Sequence, residues 1–119
     1  MKRRGLSGHI HYAAAKAAIL GITYTVAKEL GQFGITANAL QPGLIRTDLT
    51  RPFLEMGEQD FAAQTPVGRV GEPGEIARVA GLLASPASGF ITGAAFKLDG
   101  GFFFMNEVDR FMEKAMNLQ

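Results

Sequence analysis

Residues 10–43, "IHYAAAKAAILGITYTVAKELGQFGITANALQPG", decide the fold class. From about Ile10 to Leu30 the apolar residues have helical spacing, and Gly31 and Gly34 follow as a stop signal. One side of this predicted helix carries Ile19, Ile22, Thr23, Val26 and Leu30. Residues 35–43 then predict a short strand that ends in a Pro-Gly turn.

The rest of the chain repeats the order of helix and strand. "EPGEIARVAGLLASP", residues 72–86, predicts a second helix, and "AAFKLDGG", residues 94–101, predicts a second strand. Residues 48–65 predict one or two short helices, and residues 106–119 an amphipathic helix or a frayed tail. Strands separated by helical crossovers pair in parallel, which indicates an α/β fold. Because two strands do not form an independently stable sheet, we expect the chain to be part of a larger domain.

Composition narrows the possible functions. The chain has 119 residues, of which 47% are hydrophobic and 19% charged, as is typical of a single soluble globular domain. A net charge of +1 argues against nucleic acid and anionic membrane surfaces as partners. The absence of cysteine excludes disulfides, thiolate nucleophiles and cysteine-bound zinc. With no signal peptide or long apolar run, we predict a cytoplasmic protein.

Tyr12 and Lys16 form a candidate acid/base pair, although a tyrosine and a lysine four apart also occur by chance on many helices. A positive charge close to a phenol favours the phenolate and lowers the phenol pKa. Lowering that pKa from about 10 to about 7 requires about 4 kcal/mol, so Lys16 would need help from a bound cofactor and from exclusion of water.

Four sequence blocks carry a family resemblance. They are "YAAAK" (12–16), "AKELGQFGITANALQPGLIRTDL" (27–49), "TPVGRVGEPGEIARVAGLLAS" (65–85) and "ITGAAFKLDGG" (91–101). Together they resemble the C-terminal half of classical short-chain dehydrogenases/reductases, and look most like the 3-oxoacyl-acyl-carrier-protein reductase and polyol dehydrogenase branch. The resemblance implies the C-terminal part of a doubly wound, Rossmann-like parallel-sheet domain over residues 1–101, followed by a tail at 102–119.

The resemblance also implies an activity and a set of site residues. The family interconverts alcohols and carbonyls by hydride transfer with NAD or NADP. By this likeness Tyr12 transfers the proton to or from the small-molecule substrate, and Lys16 also binds the nicotinamide ribose. The implied nicotinamide site is the turn at Pro42 and Gly43, the Ile45 backbone and the Thr47 hydroxyl.

Other polar residues do not suggest a second site. His9 and His11 lack a third ligand at metal-site spacing, so we interpret them as loop or capping residues and predict no metal. The acidic residues Asp48, Glu55, Glu58 and Asp60 are interpreted as a solvated face.

Parts of the family's machinery do not match this sequence. No two of the fifteen glycines are two residues apart, so neither G-x-G-x-x-G nor the family's own phosphate loop is present. The family's substrate-orienting serine would precede Met1. We therefore expect the chain alone to be inactive and to show no saturable NADH or NADPH binding below about 1 mM.

Two functional hypotheses remain open. In the first, the chain is part of an NAD(P)-dependent oxidoreductase. In the second, it is a non-catalytic partner of full-length family members. Homo-oligomer contacts are expected through the helix at 10–30 and through residues 94–104, which include Phe102, Phe103 and Phe104.

Overall fold

The computed structural model describes residues 10–102, without the side chains of Tyr12 and Ala13. Its elements in chain order are α1 (Ile10–Leu30), β1 (Ala39–Pro42), α2 (Arg51–Ala63), α3 (Pro73–Leu83) and β2 (Ala95–Leu98), with 3₁₀ turns at Gly31–Phe33 and Pro86–Ser88. The predicted order of helices and strands is confirmed. His9, Phe103, Phe104 and the predicted helix at 106–119 lie outside the described residues, and the boundary at residue 102 stays a prediction.

The two strands are neighbours in a two-stranded sheet. Ala39 N–H donates to the Ala94 carbonyl at 2.8 Å, and Gly43 N–H donates to the Leu98 carbonyl at 3.0 Å. From the first bond to the second, the residue numbers of both strands increase by four, so the strands run in the same direction and are parallel. Two strands are fewer than an independently stable sheet needs, in agreement with the expected partial domain.

The chain divides into two compact units. Within the described residues, the first unit consists of residues 10–39 and 82–96, and the second consists of residues 40–81 and 97–102. α1 is the longest element at 21 residues.

No helix within residues 10–102 is long and apolar enough to cross a membrane.

In the first unit, α1 packs through Thr23 and Ala27, which are buried and lie four residues apart on one face. A Cβ atom at Gly93 would be 3.6 Å from the Ala27 Cβ, so the backbone at residue 93 contacts this face. Ile19 and Ile22, on the predicted apolar side, are 50% and 62% exposed. The buried face is therefore narrower than the predicted apolar side.

The first strand is shorter than the predicted span of residues 35–43. Before Ala39, side chains replace part of the strand ladder. The Asn38 amide donates to the Ile91 carbonyl and accepts from Ala94 N–H, at 3.0 and 3.1 Å. Ala37 N–H donates to the Thr92 hydroxyl at 3.0 Å. These bonds satisfy the backbone without regular strand geometry, so β1 begins only at Ala39.

The second unit contains α2 and most of α3. Gly57 has non-helical angles (φ 176°, ψ 58°), so α2 consists of two short helical pieces, one of the two arrangements predicted for residues 48–65. Among the described residues of the second unit, Leu54 and Val70 are the buried apolar ones. α3 spans Pro73–Leu83, inside the predicted residues 72–86. The Glu75 carboxylate accepts from Glu72 N–H at 2.8 Å, which is the bond that the third helical residue makes in a capping box.

Candidate active site

α1 carries the predicted proton-transfer pair in its first two turns. Tyr12 and Lys16 are four residues apart in one continuous α-helix, so the two positions share a helical face. Lys16 is exposed, whereas the Tyr12 side chain lies outside the described part of the structure. The helix is as predicted, and the roles of the two residues stay predictions.

The predicted nicotinamide turn begins where β1 ends at Pro42. A Cβ atom at Gly43 would be only 2.7 Å from the Asp99 Cα, so any side chain there would collide with backbone. Glycine is therefore required at this position by close approach. The turn lies at the carboxyl end of a parallel strand, the usual position of ligand sites in α/β folds.

The next residues of the turn pair with the segment that precedes α3. Ile45 and Gly71 form an isolated parallel bridge, in which Arg46 N–H donates to the Gly71 carbonyl at 2.9 Å. Gly71 N–H donates to the Leu44 carbonyl at 3.0 Å. A Cβ atom at Gly71 would be 2.5 Å from the Ile45 Cδ1, so the Ile45 side chain occupies the space beside this glycine. The backbone of residues 44–46 is thus held by a segment 25 or more residues away.

Thr50 links the two residues of the turn that the resemblance assigns to the nicotinamide. Its hydroxyl donates to the Ile45 carbonyl at 2.5 Å and accepts from Thr47 N–H at 2.9 Å. The Thr47 and Thr50 hydroxyl oxygens are 3.1 Å apart, and Thr50 N–H donates to the Thr47 hydroxyl at 3.3 Å. Sequence reasoning missed Thr50, although a threonine just before a helix commonly bonds the neighbouring backbone through its side chain.

Arg46 joins the turn to two other segments through its guanidinium. It donates to both carboxylate oxygens of Glu58, in α2, and Nε donates to Glu72 at 3.0 Å. The hydrogen bonds raise the pKa of Arg46 and lower the pKa of Glu58. Glu58 keeps a solvent-accessible side chain, 38% exposed, as expected for a solvated face, and in addition pairs with Arg46. That pairing could not be inferred from local spacing, because the two residues are 12 apart in sequence.

A second arginine pair lies at the start of α3. Arg69 donates to both oxygens of Glu75, at 2.8 and 2.6 Å. These bonds, with the one from Glu72 N–H, lower the pKa of Glu75 to about 2. The pair connects residues only six apart, so it braces one local segment.

Two clefts of the second unit flank the turn. The first, of about 370 Å³, is lined by Arg46, Thr47, Asp48, Arg51, Leu54, Glu55 and Glu58. The second, of about 280 Å³, includes Leu44, Ile45, Val67, Ile76 and Leu98 among its lining residues. Thr47 therefore lines a cleft with many charged side chains, while Ile45 lines a second cleft in which apolar side chains are more numerous.

A parallel strand pair whose first strand ends in a hydrogen-bonded turn beside a cleft is typical of α/β nucleotide-binding proteins. A protein-family model described as enoyl-(acyl carrier protein) reductase matches residues 1–103. The 3-oxoacyl-acyl-carrier-protein reductase FabG of Pseudomonas aeruginosa is 43% identical over 99 residues, which are 83% of this chain and 40% of that protein.

Solved structures are similar in both fold and sequence. The short-chain dehydrogenase/reductase (glucose/ribitol dehydrogenase) of Brucella melitensis has a TM-score of 0.76 at 36% identity, over 83% of this chain and 40% of that one. YwfH, an NADPH-dependent reductase involved in bacilysin biosynthesis, has a TM-score of 0.76 at 31% identity, over 85% of this chain and 42% of that one.

The chain belongs to the short-chain dehydrogenase/reductase family, in the branch of the 3-oxoacyl-acyl-carrier-protein reductases. This confirms both the family and the fold class predicted from the four sequence blocks. The chain spans about two fifths of the length of the curated relatives that it matches.

Proposed function

We propose that this chain carries the proton-transfer residue and the nicotinamide-binding turn of an NAD(P)-dependent oxidoreductase that interconverts an alcohol and a carbonyl. The observation that carries the proposal is the hydrogen-bonded set of Ile45, Thr47 and Thr50 at the carboxyl end of β1. Family membership supports it, because the relatives described above are named reductases and dehydrogenases.

The hydroxyl chemistry of the turn suits a carboxamide. A threonine hydroxyl has one hydrogen and two acceptor lone pairs. The Thr50 hydroxyl gives its hydrogen to the Ile45 carbonyl. The hydrogen bond between the Thr47 and Thr50 hydroxyls must therefore use the hydrogen of Thr47. The Thr47 hydroxyl already accepts from Thr50 N–H, which leaves one acceptor lone pair for an amide N–H. Its single hydrogen can donate either to the Thr50 hydroxyl or to a carboxamide oxygen. Thr47 is exposed and lines the first cleft, which leaves its hydroxyl accessible.

The proposed division of labour follows from these groups. A bound nicotinamide would supply or accept the hydride at the substrate carbon. Tyr12 would give its phenol proton to the substrate oxygen during reduction and take it back during oxidation. Lys16, on the same helical face, would favour the phenolate and bind the ribose.

A chimera tests this function in a complete enzyme. In the reductase chimera, this chain's matching 99-residue segment replaces its counterpart in the Pseudomonas 3-oxoacyl-acyl-carrier-protein reductase. We expect the chimera to reduce the parent's 3-oxoacyl thioester, with NADPH and NADH compared as cofactors. A chimera that folds and binds the cofactor but has no activity would contradict the proposed roles.

Cofactor binding by the 119-residue chain is the complementary test. The sequence contains the turn proposed for the nicotinamide but no glycine-rich phosphate loop, so the pyrophosphate has no evident partner here. We expect no saturable NADH or NADPH binding below about 1 mM in calorimetry. Tight binding would indicate a pyrophosphate site elsewhere in these residues.

Association with a like subunit is a second candidate function. It is favoured by the exposed apolar side of α1, where Ile19 and Ile22 are 50% and 62% exposed. We expect Ile22→Lys to reduce the mass of the reductase chimera in light scattering, whereas Thr25→Lys, at another exposed position of α1, serves as the charge-matched control. Equal masses for both variants would exclude this face as the contact.

A further inference from the structure

Arg46 lies between the two residues that are proposed to hold the nicotinamide. Its own backbone pairs with Gly71, and its side chain leaves the turn to reach Glu58 and Glu72. Glu58 follows the Gly57 break in α2, and Glu72 directly follows Gly71. One guanidinium therefore connects three segments of the second unit: the turn, α2 and the approach to α3.

The geometry of these contacts restrains the turn from two directions. The bidentate pair with Glu58 orients the guanidinium plane, since a planar fork matches a carboxylate in one arrangement. The Nε bond to Glu72 adds a restraint on the same side chain at 3.0 Å. Because Glu72 follows Gly71, this side-chain bond reinforces the backbone bond from Arg46 N–H to the Gly71 carbonyl.

Arg69 provides an internal comparison. Arg46 and Arg69 have similar side-chain exposure, 46% and 54%, and each makes a bidentate pair with a glutamate. Within the described residues, the hydrogen bonds of the Arg69 guanidinium go to Glu75 and to the carbonyl of its neighbour Val70. The arginine–glutamate bonds of Arg46 thus connect three segments, whereas those of Arg69 stay within a single local segment.

The geometry points to Arg46 as a positioning residue that holds residues 45–47 in the conformation presenting the Ile45 backbone and the Thr47 hydroxyl. Its relevance to the cofactor rests on the proposed function, whereas its effect on the turn does not. Exposed ion pairs are individually weak, so the expected effect is a local shift in order rather than global unfolding.

Amide hydrogen exchange measured by NMR on the 119-residue chain tests the inference. In the Arg46→Met variant, which keeps an unbranched stem without the charge, we expect the Gly71 and Thr47 amides to exchange about two- to fivefold faster. The Ala39 amide, bonded to Ala94, is the internal reference and should not change. Arg69→Met is the matched control and should accelerate exchange of the Glu72 amide instead, because Glu75, the partner of Arg69, accepts from Glu72 N–H.

Conservative and charge-swap variants separate positioning from a general loss of structure. Arg46→Lys should give an intermediate rate, because a single ammonium cannot reproduce the fork. Arg46→Glu combined with Glu58→Arg should exchange more slowly than Arg46→Glu alone, since one of the two pairs is restored. Unchanged exchange in Arg46→Met, or equal acceleration by Arg69→Met at Gly71 and Thr47, would overturn the inference.

The reductase chimera keeps the test decisive if the short chain does not stay in solution. There, exchange is measured by mass spectrometry on peptides containing residues 44–50, with the same variants and the same expected order. Faster exchange with a raised KM for NADPH and an unchanged kcat supports both proposals. Faster exchange with an unchanged KM supports the role of Arg46 and counts against the assignment of the turn to the nicotinamide.

Discussion

The start of α1 and the turn after β1 place their candidate residues by different means. In α1, the positions of Tyr12 and Lys16 follow from helical periodicity within one element. In the turn, Gly43 contacts Asp99, Arg46 reaches Glu58 and Glu72, and Ile45 fits beside Gly71. The four-residue spacing in the sequence is therefore enough to define the first pair of positions. The turn instead depends on residues far away along the chain.

The first prediction tests the helical pair and has the largest expected effect. In the reductase chimera, Tyr12→Phe should lower kcat by about 10²–10⁴-fold, because it removes the hydroxyl group that would carry the transferred proton. Cofactor affinity should remain nearly unchanged, as measured by nicotinamide fluorescence. Lys16→Ala should reduce both the rate and the cofactor affinity. A rate above about a tenth of the parent's in Tyr12→Phe would show that the acid/base role is wrong.

The second prediction compares a glycine from each region. A Cβ atom at Gly43 would meet Asp99 backbone at 2.7 Å, whereas one at Gly21 in α1 would have nothing within 4 Å. We expect Gly43→Ala to lower the free energy of unfolding of the chimera by about 1–3 kcal/mol, the usual cost of overpacking. Gly21→Ala should raise it by up to about 1 kcal/mol through helix propensity. Urea denaturation measures both, and equal effects would contradict the contact between Gly43 and Asp99.

The third prediction tests the hydroxyl set of the turn. Thr50→Val removes the bonds to the Ile45 carbonyl and from Thr47 N–H while it preserves side-chain volume. We expect KM for NADPH to rise about fivefold in the chimera, the effect of one ordinary hydrogen bond. Thr25→Val, at an exposed position of α1, is the control and should leave KM unchanged. An unchanged KM in Thr50→Val would mean that the set does not orient the cofactor-binding groups.

The smallest expected effect concerns the local arginine pair. The pKa of Glu75 is lowered to about 2 by hydrogen bonds from Arg69 and from Glu72 N–H. Because the folded-state pKa is depressed, the stabilisation is complete above the unfolded value of about 4.3 and is lost as the pH falls through about 2. NMR titration of the Glu75 side-chain carboxyl should therefore have its midpoint near 2. Arg69→Met should shift that midpoint upward, and a parent midpoint near 4.3 would contradict the pair.

Sequence patterns predicted the elements better than their ends. α1 and α3 match the predictions closely because glycine and proline punctuate them, with Gly34 in the left-handed conformation (φ 74°) after α1. β1 is shorter than predicted because the Asn38 side chain takes over ladder bonds, and a strand pattern does not reveal such a substitution.

In the candidate site, too, local sequence patterns identified some residues and missed others. Pro42, Gly43, Ile45 and Thr47 could be assigned by resemblance, and Thr50 could have been found from the tendency of threonine to bond nearby backbone just before a helix. The partners of Arg46 could not be found in this way, because Glu58 and Glu72 are 12 and 26 residues away and local spacing rules pair only residues three or four apart.

The sequence by itself determined the family, the order of helices and strands, and the helical spacing of Tyr12 and Lys16. These depend on local periodicity, on residues that stop helices, and on motif blocks in a constant order. Only the tertiary structure decided which face of α1 is buried, where β1 begins, and which side chains hold the turn. Those features arise from contacts between residues distant in sequence, whose energies depend on geometry that no local pattern contains.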